Sequence, residues 1–166
     1  MGGKIRFNVA KFGAKVASQV SKFGFGSGNN LPGYVFYKIA GKEALKDLAH
    51  EMSIGPILIT GTNGKTTTTT LLIKLLSADT KIRKSFESNT IHAITTGILK
   101  GDWDLGVFEY GIRNKSYGIP DTVQRLIDPV GVVYTTISRE HSQVAGVKNP
   151  FEEYVDAKSL LSQGMT

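Results

Sequence analysis

The residues best suited to chemistry form one short segment, Ile57 to Thr67. An apolar, β-branched run precedes two glycines, a lysine and two threonines. Glycines let the backbone bend so that its N–H groups point at phosphate oxygens, and a helix that begins near Lys65 adds its positive dipole end. Lysine offers a cation to β- and γ-phosphates, and the next hydroxyl can bind Mg²⁺. The segment predicts a phosphate-binding loop made of Gly61, Thr62, Asn63, Gly64, Lys65, Thr66 and Thr67.

This loop is a variant of the strict phosphate-loop pattern. That pattern has a glycine five residues before the second one, and Ile59 stands there. The order of strand, glycine-rich loop, lysine, hydroxyl and helix is nevertheless kept. A plain turn before a helix is the alternative interpretation, and the order of the elements argues against it.

Two further polar groups follow predicted strands. Glu109 comes after the run 104–108, and His141 lies in the polar cluster after the run 130–135. Carboxyl ends of parallel strands share one edge of a sheet, so both side chains are expected beside the loop. Mg²⁺ is usually bound through one or two carboxylates plus phosphate, which favours Glu109 as a ligand. On the residues alone, a surface acid and a structural histidine remain alternatives.

Asn89 and Lys158 have ordinary explanations when they are considered without any relative. Asn89 opens the predicted helix that runs to Leu99 and is a good N-cap residue. Lys158 lies in the predicted helix 151–161, where a solvated lysine is the common case.

Predicted strands alternate with predicted helices along the chain. This alternation favours an α/β fold with a doubly wound, mostly parallel sheet of the phosphate-loop type. The expected division is a helical extension with a glycine-rich loop over 1–54 and a phosphate-binding domain over 55–166. The strands are expected at 57–60, 104–108 and 130–135, the helices at 43–52, 67–76, 89–99, 121–127 and 151–161, and a loop at 24–33.

Residues 5–22 predict one more helix, with apolar side chains recurring along one face. Lys11, Lys15 and Lys22 lie elsewhere on it. The first interpretation is that this apolar face packs on the domain. The second is a basic amphipathic helix that contacts a membrane surface or a partner protein. The apolar face consists of Ile5, Val9, Phe12, Val16 and Val20.

Composition narrows the class of protein. The chain has 166 residues, of which 40% are hydrophobic and 20% charged, and it has no cysteine, which excludes disulfides and thiolate metal sites. The net charge of +6 favours an anionic partner, but the basic residues are scattered, so nucleic-acid binding is not expected. No apolar run is long enough for a membrane span or a signal peptide, which predicts a cytoplasmic location.

The segment Thr60-Gly61-Thr62-Asn63-Gly64-Lys65-Thr66-Thr67 resembles the nucleotide loop of the Mur ligase family. The resemblance implies the central ATPase domain of an enzyme that uses ATP and Mg²⁺ to join a carboxylate to an amine through an acyl phosphate. The carboxylate substrate would be anionic, of the cell-wall-precursor type, linked to UDP or to a lipid. The N-terminal stretch is similar to the family's lipid II amidating subunit. The central stretch is similar to the family's dipeptide-adding ligase and to archaeal relatives of both proteins.

The resemblance also implies roles for particular residues. Lys65 would neutralise the phosphates and Asn89 would lie near the γ-phosphate. Thr66 and Glu109 would hold one Mg²⁺, and His141 with a carbamylated Lys158 would hold a second. Two positions depart from the family pattern, Thr136 where asparagine is frequent and Glu140 where aspartate is usual.

Members of this family have a longer central domain and a C-terminal domain, so the chain is expected to be the N-terminal part of such a ligase. Two other classes stay open. One is a different phosphate-loop enzyme, such as a kinase or an NTPase. The other is a nucleotide-binding module without catalytic activity.

Overall fold

The computed structural model describes residues 2–22, 30–88, 90–116, 119–139, 146 and 148–165, with the backbone alone at residues 2, 22 and 85–88. Two predicted site residues, Asn89 and His141, lie outside this part of the chain, as does most of the predicted loop 24–33. The helices are α1 (Gly2–Lys22), α2 (Leu31–Ala40), α3 (Ala44–Ala49), α4 (Lys65–Leu76), α5 (Ile91–Leu99), α6 (Pro120–Ile127) and α7 (Pro150–Ser159). The strands are β1 (Gly55–Thr60), β2 (Ile82–Ser88), β3 (Leu105–Tyr110) and β4 (Gly131–Tyr134), and a 3₁₀ turn, Leu160–Ser162, follows α7.

The four strands form one parallel sheet in the order β2-β3-β1-β4. The predicted α/β class and parallel sheet are therefore confirmed. β1 lies between β3 and β4, with Ile59 opposite Glu109 on one side and Thr60 opposite Tyr134 on the other. Since all strands run the same way, their carboxyl ends meet at one edge, where ligands bind in such sheets.

The two faces of the sheet are covered unequally. One face carries the large core, in which Leu58 and Phe108 pack with Phe36, Leu45 and Ile94 from α2, α3 and α5. The other face carries a small cluster of Ile59, Leu105 and Val107, against which Leu72 and Ile73 of α4 pack. Leu71 and Leu75 of α4 are exposed.

The predicted packing face of the first helix is wrong. The apolar row that includes Val9 and Phe12 is exposed, and Phe12 alone keeps 70% of its surface accessible. α1 packs instead through a row of small residues, Ala10, Ala14 and Ala17, which are buried. Small side chains let two helices approach closely, as at Gly13, where a methyl group would lie 3.0 Å from Cδ1 of Ile39 in α2.

Two elements escaped prediction. α2 begins at Leu31, inside the loop predicted at 24–33 because Pro32 and Gly33 are residues typical of loops. Proline is well tolerated in the first helical turn, so here it opens the helix. β2 contains Arg83 and Lys84 and is an edge strand, so it lacks the apolar run that reveals a buried strand. No helix of the described ranges is long and apolar enough to cross a membrane.

Candidate phosphate-binding site

The loop between β1 and α4 takes a shape that needs its two glycines. Gly61 and Gly64 have φ values of +151° and +85°, and Gly64 is the left-handed N-cap of α4. A side chain on Gly61 would overlap the hydroxyl of Thr135, just after β4. Gly61 therefore lets the loop lie directly against the end of β4. Gly64 is exposed, so the loop stays open to solvent there.

Thr62 connects the loop to the segment after β4 and to α7 by hydrogen bonds. Its N–H donates to the Thr136 carbonyl at 2.7 Å, and its Oγ1 accepts from the Ser138 N–H at 3.0 Å. The same Oγ1 lies 2.9 Å from the Tyr154 hydroxyl of α7. The N–H and the hydroxyl of Thr62 thus both have partners inside the protein, which gives Thr62 a structural role. Direct contact of Thr62 with phosphate stays a prediction.

Lys65 lies over the loop that precedes it. Its Nζ donates to the carbonyls of Gly61 and Thr62, at 3.0 and 3.1 Å. The first N–H groups of α4 lack intrahelical acceptors, as at every helix start. An ammonium group and the positive end of a helix therefore meet at one place, which favours an anion.

Thr66 and Glu109 form an oxygen pair beside Lys65. The Thr66 hydroxyl donates to Oε2 of Glu109 at 3.1 Å, although the residues are 43 positions apart. Glu109 lies in β3 with only 2% of its surface exposed. A buried carboxylate next to a hydroxyl is a set of hard oxygen donors of the kind that Mg²⁺ prefers.

Lys158 is not the solvated lysine that residue reasoning alone would give. It is 1% exposed, and its Nζ donates to Thr60 Oγ1 at 3.2 Å and to the Ile112 carbonyl at 3.1 Å. The Nζ also lies 4.3 Å from the centre of the Tyr154 ring. Burial, and secondarily the nearby charge of Lys65, lower the pKa of Lys158 from 10.5 to about 8.

These residues fit a nucleoside triphosphate with Mg²⁺. The glycine loop, the start of α4 and Lys65 suit the phosphates, and Thr66 with Glu109 suits the metal. Asn63, Gly64 and Thr67 are exposed at the outer side of the loop. The described side chains contain no group of three or more His, Cys, Asp or Glu that could hold a metal ion.

Sequence reasoning missed the residues that hold this site together. Tyr154 lies four positions before Lys158 on one helix face, a spacing that could have linked them. Thr60 and Ile112 have no such signal, because they reach Lys158 only through the fold. At α5, Thr90 is the N-cap, and its side chain accepts from the Ala93 N–H. The predicted roles of Asn89 and His141 concern residues outside the described part.

Two curated relatives are similar to this chain in sequence. A UDP-N-acetylmuramoyl-tripeptide–D-alanyl-D-alanine ligase of Borreliella burgdorferi is 36% identical over 100 residues, which are 58% of this chain and 21% of the relative. The ligase of the same name from Bacillus subtilis is 29% identical over 129 residues, 74% of this chain and 27% of the relative. The chain thus spans about a quarter of the length of these relatives.

Two crystal structures of MurF from Acinetobacter baumannii share the fold. One superposes with a TM-score of 0.61 at 16% identity, covering 82% of this chain and 28% of the MurF chain. The other gives 0.58 at 19% identity, covering 72% and 26%. The family model of the Mur ligase middle domain matches residues 59–166, from the end of β1 onward. The chain therefore belongs to the Mur ligase middle domain family.

Proposed function

We propose that this chain supplies the phosphate- and magnesium-binding part of an ATP-dependent ligase that joins a carboxylate to an amine. The observation that carries the proposal is the contact between Thr66 and Glu109 beside Lys65, at the carboxyl edge of the sheet. Family membership and the activity named for the relatives support the ligase class.

In the proposed reaction, a carboxylate oxygen attacks the γ-phosphorus of ATP, and the bond to the ADP oxygen breaks. The amine then attacks the acyl carbon, phosphate leaves, and the nitrogen loses a proton. The chain's residues would position and neutralise charge, which is most of what phosphoryl transfer requires of a protein. Lys65 would contact the β- and γ-phosphates, while Thr66 and Glu109 would hold Mg²⁺, which screens the phosphate charge.

Lys158 is proposed as the lysine that becomes carbamylated to bind a second Mg²⁺ together with His141. Carbamylation requires the neutral amine, and the lowered pKa of Lys158 raises the neutral fraction near pH 8. Its Nζ lies at the end of β1, one residue before the loop begins. The role of Asn89 near the γ-phosphate is proposed on resemblance alone.

The substrates belong to the proposal as well. An anionic cell-wall-precursor carboxylate is proposed from the names of the relatives and suits a chain of net charge +6. The dependence of ADP release on the two substrates distinguishes a ligase from a kinase, an NTPase or a binding module. Release of ADP that requires both a carboxylate and an amine supports a ligase, whereas release without either supports an NTPase.

Calorimetric titration of the chain with ATP and Mg²⁺ tests the binding step. Lys65→Ala removes the cation at the loop and should weaken binding by about 1.5–3 kcal/mol, which is roughly ten- to hundredfold. The matched control is Lys74→Ala, because Lys74 is exposed in the last turn of the same helix. Equal affinities for Lys65→Ala and Lys74→Ala, both folded by circular dichroism, would contradict the proposal.

A further inference from the structure

The exposed row on α1 is an apolar surface that the fold does not use. Its members retain between 42% and 70% of their surface, although they recur every three or four residues along one side of the helix. The helix is held in place by its alanine-rich side, about a third of a turn around from the exposed row. This surface, which we term the α1 row, consists of Ile5, Val9, Phe12, Val16 and Val20.

A row of lysines runs beside it. Lys4, Lys11 and Lys15 lie about a third of a turn around the helix from the α1 row. Residues 2–22 include five basic and no acidic residues. Within the described ranges, Glu51 is the acid that pairs with the lysine row, through an ion pair of 2.7 Å to Lys11. The exposed side of α1 is therefore apolar and strongly basic at once.

A groove next to the lysine row extends the positive surface. It has a volume of about 880 Å³ and lies between α1 and the end of α5. Its described lining contains no acidic residue, and its basic members are Lys11, Lys15, Arg83 and Lys100. Gly101, which also lines it, precedes β3, so the groove lies at the opposite edge of the sheet from the phosphate-binding loop.

We infer that α1 and this groove dock onto the surface of an anionic phospholipid bilayer, with α1 lying in the plane of the interface. The α1 row would enter the boundary between headgroups and acyl chains, and the lysine row would contact lipid phosphates. A second copy of the chain fits less well, because two α1 helices would bring like charges together. The inference does not depend on nucleotide binding.

Co-sedimentation of the full chain with vesicles tests the inference. We expect binding to vesicles of phosphatidylcholine and phosphatidylglycerol in equal parts, and little binding to phosphatidylcholine alone. Raising the salt from roughly 0.1 M to 1 M shortens the Debye length from about 10 Å to about 3 Å and should release most of the protein. Equal binding to both kinds of vesicle, or to neither, would overturn the inference.

Matched variants separate this surface from general hydrophobicity. Phe12→Ser with Val16→Ser should reduce binding about tenfold or more, and Lys4→Gln with Lys15→Gln about tenfold. The control is Leu71→Ser with Leu75→Ser, which removes exposed apolar side chains from α4. All changed residues are exposed, so each variant should keep the circular dichroism spectrum of the parent chain.

Two results would count against the bilayer. The first is loss of vesicle binding in the α4 control while the α1 variants bind normally. The second is a dimer in sedimentation velocity that the Phe12 and Val16 changes convert to monomer while vesicle binding is unchanged. That second result would assign the α1 row to a contact between copies of the chain.

Discussion

The ammonium group of Lys158 lies where water barely reaches, against a carbonyl, a hydroxyl and an aromatic ring. Burial lowers its pKa from 10.5 to about 8, so the folded chain holds this proton more weakly than the unfolded chain does. Unfolding therefore takes up a proton between pH 8 and 10.5. As a result, the free energy of unfolding increases as the pH rises through this window.

The change Lys158→Met tests this. The free energy of unfolding of the parent chain minus that of the variant should rise between pH 8 and 10, by at most about 3 kcal/mol. Urea unfolding in buffer free of carbon dioxide measures it without carbamylation. Lys74→Met, at an exposed position, should give a difference that stays flat with pH. A flat difference for Lys158→Met would show that its pKa is not lowered in the folded chain.

Glu109 allows a separate test of the metal role. Glu109→Gln keeps the shape and can still accept the Thr66 hydrogen bond, but it loses the charge that binds Mg²⁺. We expect ATP affinity with Mg²⁺ to fall about tenfold, while affinity in EDTA changes little. Calorimetry under both conditions measures the ratio. Glu43→Gln, at an exposed acid paired with Arg125, is the control and should leave the ratio unchanged.

At the scale of residues, the sequence reveals the loop better than its surroundings. Gly61, Gly64, Lys65 and Thr66 are neighbours in the chain, so their spacing alone predicts a phosphate site. The burial of Lys158 depends on how α7 packs against the ends of β1 and β3, which no local pattern specifies. The resemblance to the family predicts the carbamylation of Lys158, whereas only the structure shows that Lys158 is buried.

At the scale of elements, the contact between α2 and α5 depends on one glycine. Gly33 of α2 lies against the backbone of α5, and its N–H donates to Thr96 Oγ1 at 2.8 Å. A methyl group there would overlap the His92 carbonyl, and a backbone group can move only if the two helices separate. The same glycine that suggested a loop in the sequence is what allows two helices to meet.

Gly33→Ala should therefore reduce the free energy of unfolding by about 1–3 kcal/mol through overpacking. Gly3→Ala in α1 is the control, because nothing lies within 4 Å of its added methyl group. That change should be neutral or stabilise the chain by up to about 1 kcal/mol. Urea denaturation of both variants measures the two effects, and a tolerated Gly33→Ala would contradict the close contact.

The elements that the sequence predicts correctly are those with a strong local signal. β1 and β4 are rich in apolar β-branched residues, β3 is apolar up to Phe108, and α4 follows a recognisable loop. β2 and α2 lack such signals, since one is a charged edge strand and the other begins with proline and glycine. For α1 the periodicity gave the helix but the wrong packing face, because small alanines, rather than large apolar residues, make the contact.

At the scale of the molecule, the N-terminal helices share the large core with the sheet. Phe36 of α2 and Leu45 of α3 belong to the same buried cluster as Leu58 of β1. The family match begins only at residue 59, yet the helices before it help to cover one face of the sheet. The division into an extension over 1–54 and a domain over 55–166 stays a prediction.

The unequal covering of the two sheet faces leads to a final prediction. Leu58 and Ile59 are neighbours in β1, both are fully buried, and they point to opposite faces. Changing each to alanine removes the same number of carbon atoms from the same strand. Leu58→Ala should cost about 4–5 kcal/mol of unfolding free energy, and Ile59→Ala about 2–3 kcal/mol.

The reason lies in the neighbours of the two side chains. Leu58 is surrounded by buried residues of several helices, which cannot fill the cavity that its loss leaves. The small cluster that contains Ile59 is packed by Leu72, Ile73 and Val133, which are only partly buried and can move inward. The cost of a cavity depends on how far its surroundings collapse, so the better-enclosed position should suffer more. Urea unfolding of both variants decides the matter, and a larger loss for Ile59→Ala would show that the α4 face is as tightly packed as the other.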